Sequence, residues 1–331
     1  MKILVTGATG FVGGRFAQAA LDQGFDVRIS GRRTAAAEHL VSLGARFVPG
    51  DLTDPELARR LCMGIEAVVH CAGTAAGWGR REHFHSGNVQ VTENIVEACL
   101  REHVRRLVHL SSPAICFDGR SRLGVKEEAT PRRFYNHYAA SKFMAEQKVF
   151  GAAEFGLEVL ALRPRGVVGA GDGSWLPQLL QSQHKQGLAI VGNGLNKADF
   201  TSVQNLNKAL FRALGAPDAA LGRAYNISNG TPLPFWDVIN YAMRQVQLPQ
   251  VRRYRSFALA YCVGALNEGA CLAWPGRPRP ARSRLEARIM NTNFTLDITR
   301  ARRYLDYTPD VSVWTALDEF CNWWKSRQAA D

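Results

Sequence analysis

Through the first half of the chain, short apolar runs of strand length alternate with longer stretches whose apolar residues recur every three or four positions. This is the pattern of a parallel sheet covered by helices on both faces. The predicted strands run from Lys2 to Thr6, Asp26 to Ser30, Ala45 to Pro49, Ala67 to Cys71, Arg106 to Ser111 and Glu158 to Arg163. Helices are predicted over 11 to 23, 54 to 63, 88 to 103 and 138 to 155. From about Gly166 onward glycine and proline become frequent and the strict alternation is lost. The expected fold is α/β, a doubly wound parallel sheet over residues 1–165 with a smaller C-terminal lobe over residues 166–331, interleaved with the last sheet elements. One segment, Ser256 to Pro275, approaches spanning length but carries Asn267, Glu268 and interior glycines. It reads as a pocket-lining or surface-lying apolar helix rather than a membrane span.

Composition narrows the class. Hydrophobic residues at 46% and charged residues at 21% describe a packed globular body of 331 residues. The net charge of +12 is spread along the chain without a recognition-helix or RNA-binding signature, so no nucleic-acid partner is expected. The basic stretch from Arg277 to Arg282 suits anionic lipid headgroups, which leaves a peripheral membrane contact open beside the plainer reading of a solvated loop. The seven cysteines include no CxxC pair and no metal-ligand spacing with histidine, so reduced thiols, a cytoplasmic setting and no metal are expected. Met1 to Val5 reads as a first strand, not a secretory signal.

The first strand runs directly into Thr6-Gly7-Ala8-Thr9-Gly10-Phe11-Val12-Gly13. Gly7 can take the tight turn, Gly10 lets the main chain approach a pyrophosphate, and Gly13 lets the helix lie close to the strand. Free N–H groups at the new helix's N-terminus then receive the negative charge. The fold is therefore expected to be a Rossmann sheet that binds a dinucleotide. The second strand ends in Ile29-Ser30-Gly31-Arg32-Arg33, without a carboxylate for the ribose hydroxyls of NAD and with two guanidiniums for a 2′-phosphate. NADP (NADPH) is the expected cofactor, ahead of NAD. Asp51-Leu52, after the third strand, is placed to reach the adenine edge, although Asp51 also suits the cap of the following helix.

Tyr138 and Lys142 stand four residues apart, which on a helix brings them to one face. A free phenol titrates near 10, so proton exchange with an alcohol or ketone near neutrality needs roughly 4 kcal/mol of phenolate stabilisation. Lys142 and an oxidised nicotinamide can both supply it. Ser112 ends the fifth strand, where ligands gather outside the carboxyl edge of an open sheet, and its hydroxyl can polarise a substrate oxygen. Ser111 is the competitor, pointing the other way by strand alternation.

With these residues in order, the chain resembles the extended short-chain dehydrogenase/reductase superfamily across nearly its whole length. Gly7, Gly10 and Gly13 match its TGxxGxxG; His70-Cys71-Ala72-Gly73 is similar to its HxAA turn, Asn88 to Thr92 to its NVxGT segment, and Leu162 to Gly169 to its LRPxxVYG. Ser111-Ser112-Pro113, Phe117-Asp118-Gly119, the apolar segment at 256 to 275 and Phe294 to Ala301 resemble the 3β-hydroxysteroid dehydrogenase-like branch, which includes bacterial 2-alkyl-3-oxoalkanoate reductases. The resemblance implies Ser112, Tyr138 and Lys142 as catalytic residues and Asn88 as support for the active-site turn. The cofactor-binding set becomes Gly7, Thr9, Gly10, Phe11, Val12, Arg32, Arg33, Asp51, Leu52, Ala72 and Gly73, shared with Tyr138 and Lys142. Gly73 and Val91 depart from the family pattern, which puts local packing in doubt. Pro113-Ala114 replaces the Asp-Glu pair that sugar-nucleotide dehydratases carry, which disfavours dehydration.

The expected activity is an NADP-dependent interconversion of a ketone and a secondary alcohol on a small, largely apolar substrate, a 3-oxo acid or a 3β-hydroxysteroid-like molecule. Phe257, Leu259, Tyr261, Val263, Leu266, Leu272 and Trp274 are the expected wall. A sugar-nucleotide epimerase would use the same Tyr and Lys, but the Arg pair and the apolar lobe count against it. A redox sensor or assembly protein that binds NADP without turnover would not need the Tyr, Lys and Ser together. A homodimer through the helices at 88 to 103 and 138 to 155 follows from the family resemblance.

Overall fold

The alternation of the first half builds five strands of one sheet. In the computed structural model, which describes residues 1–276 and 278–328, β1 (Lys2–Thr6), β2 (Asp26–Gly31), β3 (Arg46–Pro49), β4 (Ala67–His70) and β5 (Arg106–Leu110) alternate with five helices. These are α1 (Phe11–Asp22), α2 (Glu38–Ser42), α3 (Pro55–Cys62), α4 (Arg81–Phe84) and α5 (Val91–Arg101). The chain then makes β6 (Arg122–Val125), α6 (His137–Gly151), β7 (Glu158–Pro164), β8 (Val167–Val168), α7 (Leu176–Gln186), β9 (Ile190–Val191), β10 (Lys197–Ala198) and β11 (Thr201–Ser202). α8 (Val203–Leu214), β12 (Arg223–Ile227), β13 (Leu233–Pro234), α9 (Phe235–Gln245), β14 (Tyr254–Arg255), α10 (Phe257–Ala273) and α11 (Arg284–Ile289) follow. β15 (Phe294–Leu296), α12 (Thr299–Leu305) and α13 (Val313–Gln328) complete the described chain. Arg277, the first residue of the basic stretch, lies outside the described residues.

The main sheet has the order β12-β7-β5-β4-β1-β2-β3 and every pairing in it is parallel. Its direction of growth reverses between β1 and β4, which opens a crevice at their carboxyl ends. Alternate residues face opposite layers. Val5, Val69, Val108 and Leu160 pack with α1 and α8, whereas Leu4, Val68, Leu107 and Val159 pack with α3, α5 and α6. The lobe has its own core, in which Leu180, Phe200, Trp236, Ile239 and Phe320 meet. A cavity of about 190 Å³ in the lobe is lined by Leu188, Val191, Val263, Ala287 and Met290, and none of Ser112, Tyr138 and Lys142 lines it.

Expected and observed strand ends agree to within a residue, and two features differ in kind. The helix expected over 88 to 103 begins instead with a π-helical turn, His85–Gln90, before α5. Asn88 lies in that turn and spends its side chain on distant backbone, which the wider coil accommodates. The second difference is in α10. Its inward side carries Gly264 and Glu268, the latter held by Arg284 N at 2.7 Å and Nε at 2.6 Å. Leu259, Leu266, Leu272 and Trp274, expected in a pocket wall, are exposed, Leu266 by 73% and Trp274 by 68%. A helix apolar almost all round, whose one charged residue is the buried Glu268, gives no periodic signal for which face turns inward. No helix among the described residues is long and apolar enough to cross a membrane.

Candidate active site

The glycine turn places β1 against the start of α1 at the crevice. Gly7 adopts φ +68°, and a Cβ there would come within 2.7 Å of the Ala72 amide nitrogen, so the turn lies directly on the backbone that follows β4. A Cβ on Gly13 would stand 2.5 Å from the Gly7 carbonyl. Gly10 caps α1 with no side-chain hydrogen bond, which leaves the helix's first amides, from Phe11, Val12 and Gly13, directed at the crevice. These residues fit a pyrophosphate, since they present donors and a positive dipole end with no side chain in the way.

At the far side of the turn, Arg33 donates to the Thr9 carbonyl, and Arg32, with a 78% exposed side chain, stands 3.9 Å from the Asp51 carboxylate. A carboxylate therefore does reach the edge that the sequence of β2 leaves without one, because β3 lies beside β2 and delivers it. Asp51 does not cap α3. Asp54 does, accepting from Glu56 N at 2.9 Å, while Asp51 accepts from Thr53 N at 2.9 Å and Thr53 Oγ1 at 3.0 Å. Those bonds, Thr53 N first, hold the Asp51 carboxyl below its ordinary range. Leu52 turns its side chain into the core with Leu57 and Ile95.

α6 starts at His137 because Asn136 Oδ1 accepts from Ala139 N at 2.8 Å. That cap puts Tyr138, Lys142 and Glu146 on successive turns of the face packed against the end of β5. Ser112 caps the turn Pro113–Cys116, accepting from Ala114 N at 3.2 Å, and lies beside the Tyr138 phenol. Burial pushes that phenol's pKa up and the neighbouring Ser112 hydroxyl offsets part of the rise. Lys142, buried to 5% exposure, donates to the Leu110 carbonyl at 2.6 Å. Burial lowers its pKa to about 8, against the opposing pull of Glu146 and Cys71. Phe84, 2% exposed, lies with its ring centre 6.2 Å from that of Tyr138 and packs against it from the core side.

The choice between the two serines is made by the core. Ser111 donates to Glu146 Oε2 at 2.5 Å, and Glu146 is also clasped by Arg163 through Nε at 3.0 Å and through Nη2. Ser112 alone is left for the cleft. Asn88, 1% exposed, accepts from Thr74 N at 2.8 Å and donates to the Thr74 carbonyl at 3.1 Å and to Ser141 Oγ at 2.9 Å, so it ties the Ala72-Gly73 turn to α6. Gly73 is explained by the same contact, since a Cβ there would stand 2.8 Å from Asn88 Oδ1. His70 spans Thr6 Oγ1 at 2.7 Å and Thr92 Oγ1 at 3.0 Å beneath the site, and burial, seconded by Lys142, drops its pKa to about 3, which keeps it neutral. Glu146 was not singled out in the sequence, although it continues the Tyr138-Lys142 spacing by one more turn, and His70 and Arg163 stood there only as members of family-like segments, without a role.

Residues 3–228 match the NAD dependent epimerase/dehydratase family. The 2-alkyl-3-oxoalkanoate reductase of Stenotrophomonas maltophilia is 35% identical over 95% of this chain and 96% of its own length. The reductase of the same name from Shewanella oneidensis is 31% identical over 93% of this chain and 82% of its own. The sterol-4-alpha-carboxylate 3-dehydrogenase, decarboxylating, of Bos taurus is 28% identical over 72% of this chain and 68% of its own. Among solved structures, a UDP-glucuronic acid 4-epimerase from Bacillus cereus in complex with NAD superposes with a TM-score of 0.77 at 22% identity, over 98% of this chain and 99% of that one. That likeness extends to the fold.

Proposed function

The chain belongs to the NAD dependent epimerase/dehydratase family, in its 3β-hydroxysteroid dehydrogenase-like branch, and we propose that it reduces the ketone of a largely apolar substrate with NADPH. It is an NAD(P)-dependent oxidoreductase acting between CH–OH and ketone groups. The observation that carries the reading is the convergence of Tyr138, Ser112 and Lys142 at the end of β5, next to a turn that fits a pyrophosphate. A bound nicotinamide supplies or accepts the hydride. Tyr138 gives its proton to the substrate oxygen, Ser112 donates a hydrogen bond to that oxygen, and Lys142 stabilises the phenolate left behind. The Lys142 ammonium donates to the Leu110 carbonyl at 2.6 Å, one helical turn along α6 from Tyr138.

NADP is favoured over NAD because Arg32 and Arg33 flank the place of a 2′-phosphate, with Asp51 already engaged by Thr53. A 3-oxo acid or a steroid-like alcohol matches the substrate classes in the relatives' names. Epimerisation of a sugar nucleotide lacks a comparable supporting observation. Leu259 and Leu266 on the outward face of α10, and Leu272 and Trp274 at its C-terminal end, are exposed, with Arg253, Arg255 and Arg279 exposed in the flanking segments, which suits a peripheral contact with an anionic membrane. A homodimer would use the outer faces of α5 and α6, where Glu97, Arg101, Met144 and Lys148 are exposed.

Tyr138→Phe tests the mechanism, since it removes the proton donor and keeps the ring. Turnover is expected to fall roughly 10²- to 10⁴-fold while NADPH affinity barely changes. Near-parental turnover would make Tyr138 an ordinary aromatic of α6.

A further inference from the structure

Lys142 carries its charge in a place that favours the neutral amine, and the groups around it differ in what they supply. On α6, Tyr138 stands one turn before it and Glu146 one turn after. His70 and Cys71 lie near it at the end of β4, and His109 on β5, with the two imidazole rings stacked 5.4 Å apart. Burial, seconded by Lys142, holds both imidazoles neutral. It also pushes the Cys71 thiol up to about 12 and raises the Tyr138 phenol, so neither is charged near neutrality. The same burial disfavours the Lys142 ammonium, and Glu146 leads the influences that oppose it. Among the described residues that act on Lys142, Glu146 is thus the one that supplies a negative charge at neutral pH.

That carboxylate is built into the core. Glu146, 1% exposed, accepts from Ser111 Oγ at 2.5 Å and from Arg163 Nε at 3.0 Å, while Arg163 Nη2 reaches its other oxygen. Arg163 is itself fixed, since it donates to the Glu127 carbonyl at 2.7 Å and lies 3.5 Å from Cys116 Sγ. Ser111 N donates to the Leu162 carbonyl at 2.7 Å, so the hydroxyl that holds Glu146 stands on backbone tied between β5 and β7. A carboxylate forked by a guanidinium and capped by a hydroxyl cannot swing to water, and its charge stays one helical turn from Lys142. A buried ion pair is a weak stabiliser beside apolar residues of the same volume, so stability alone does not account for an acid here.

We propose that Glu146 is a positioning residue, a fixed negative charge locked behind Lys142 by Ser111 and Arg163, which keeps the lysine in its ammonium form for the reaction. The proposal rests on the reading of Tyr138, Ser112 and Lys142 as the proton-transferring set and adds to it what sustains the lysine's charge. Glu146 touches neither substrate nor cofactor and acts through the field it sets up in a site of low polarisability, where an opposite charge nearby favours the ionised form. Loss of that charge leaves burial unopposed and makes the lysine give up its proton at lower pH.

The charge of Lys142 can be followed without turnover. Protein labelled with ¹³C at the lysine Cε carbons is titrated by NMR, and the Lys142 signal is identified by its loss in Lys142→Arg. Glu146→Gln, which keeps the shape and removes the charge, should move the Lys142 midpoint to lower pH by about one unit, and the alkaline limb of kcat/KM should move with it. Ser111→Ala, which loosens the network and keeps the carboxylate, should leave the midpoint in place. Should Glu146→Gln fail to fold because Arg163 loses its counter-charge, Glu146→Gln with Arg163→Met removes both charges and is read in the same way. A midpoint that stays at the parental value without the Glu146 charge, or that moves as far in Ser111→Ala, overturns the proposal. A midpoint that moves while the limb of kcat/KM stays would instead overturn the part given to Lys142 in the chemistry and leave the action of Glu146 on it standing.

Discussion

Lys142 sits where its own charge is disfavoured, and that setting has a measurable edge in pH. Burial brings its pKa to about 8, and only the protonated form can stabilise a phenolate. A lowered lysine pKa means that the cation is present below about 8 and lost as pH rises through that value. The kcat/KM for NADPH, which reports groups of the free enzyme, is therefore expected to fall through that range, and Lys142→Arg should remove the limb because a guanidinium stays charged. A profile that stays flat well into the alkaline range would dissociate Lys142 from the chemistry. At the other end of the crevice, Arg32 and Arg33 are exposed, and an exposed ion pair such as Arg32 with Asp51 contributes little. Replacing both arginines with Ala should weaken NADPH by about 1 to 3 kcal/mol and NADH by much less, as read by fluorescence titration. Equal parental affinities for the two nucleotides would reject the preference for NADP.

The element that organises the site is α6, where three turns each present one functional group to β5. The first two groups were legible because a phenol and an ammonium at four-residue spacing have a chemical use together. Glu146 was not, since a carboxylate on an amphipathic helix ordinarily faces water, and only the sheet partner Arg163 shows why it turns inward. Likewise Asn88 was legible as part of a segment, but its bonds to Thr74 and Ser141 join residues far apart in the chain. Asn88→Ala would leave the Thr74 amide, in the loop after β4, without its partner. It should cost about 1 to 3 kcal/mol in urea unfolding and slow the reaction without moving its pH limb. A variant as stable as the parent would mean that the turn holds itself. The faces of α10 were illegible for the opposite reason, because the helix is apolar almost all round and its one charged side chain, Glu268, is the one that turns inward.

On the scale of the whole molecule, the proposed membrane contact would draw on two features together, a net charge of +12 and an apolar helix flanked by arginines. Sedimentation with anionic vesicles should carry the protein down at low salt, less so as salt rises, and not after Leu266→Glu with Trp274→Glu. Protein that stays in the supernatant with anionic vesicles would assign the face to another role. The main sheet raises a separate matter, for its last strand, β12, is drawn from residues 223–227 and pairs with β7. During synthesis the sheet thus waits, with one long edge of β7 bare, while the intervening sixty or so residues are made, a rough count at about 5 to 20 residues per second that leaves several seconds of exposure. An unpaired edge is a template for any strand that arrives first. Until residues 223–227 arrive, the outer edge of β7 is therefore the place where the half-made sheet stands open to another strand.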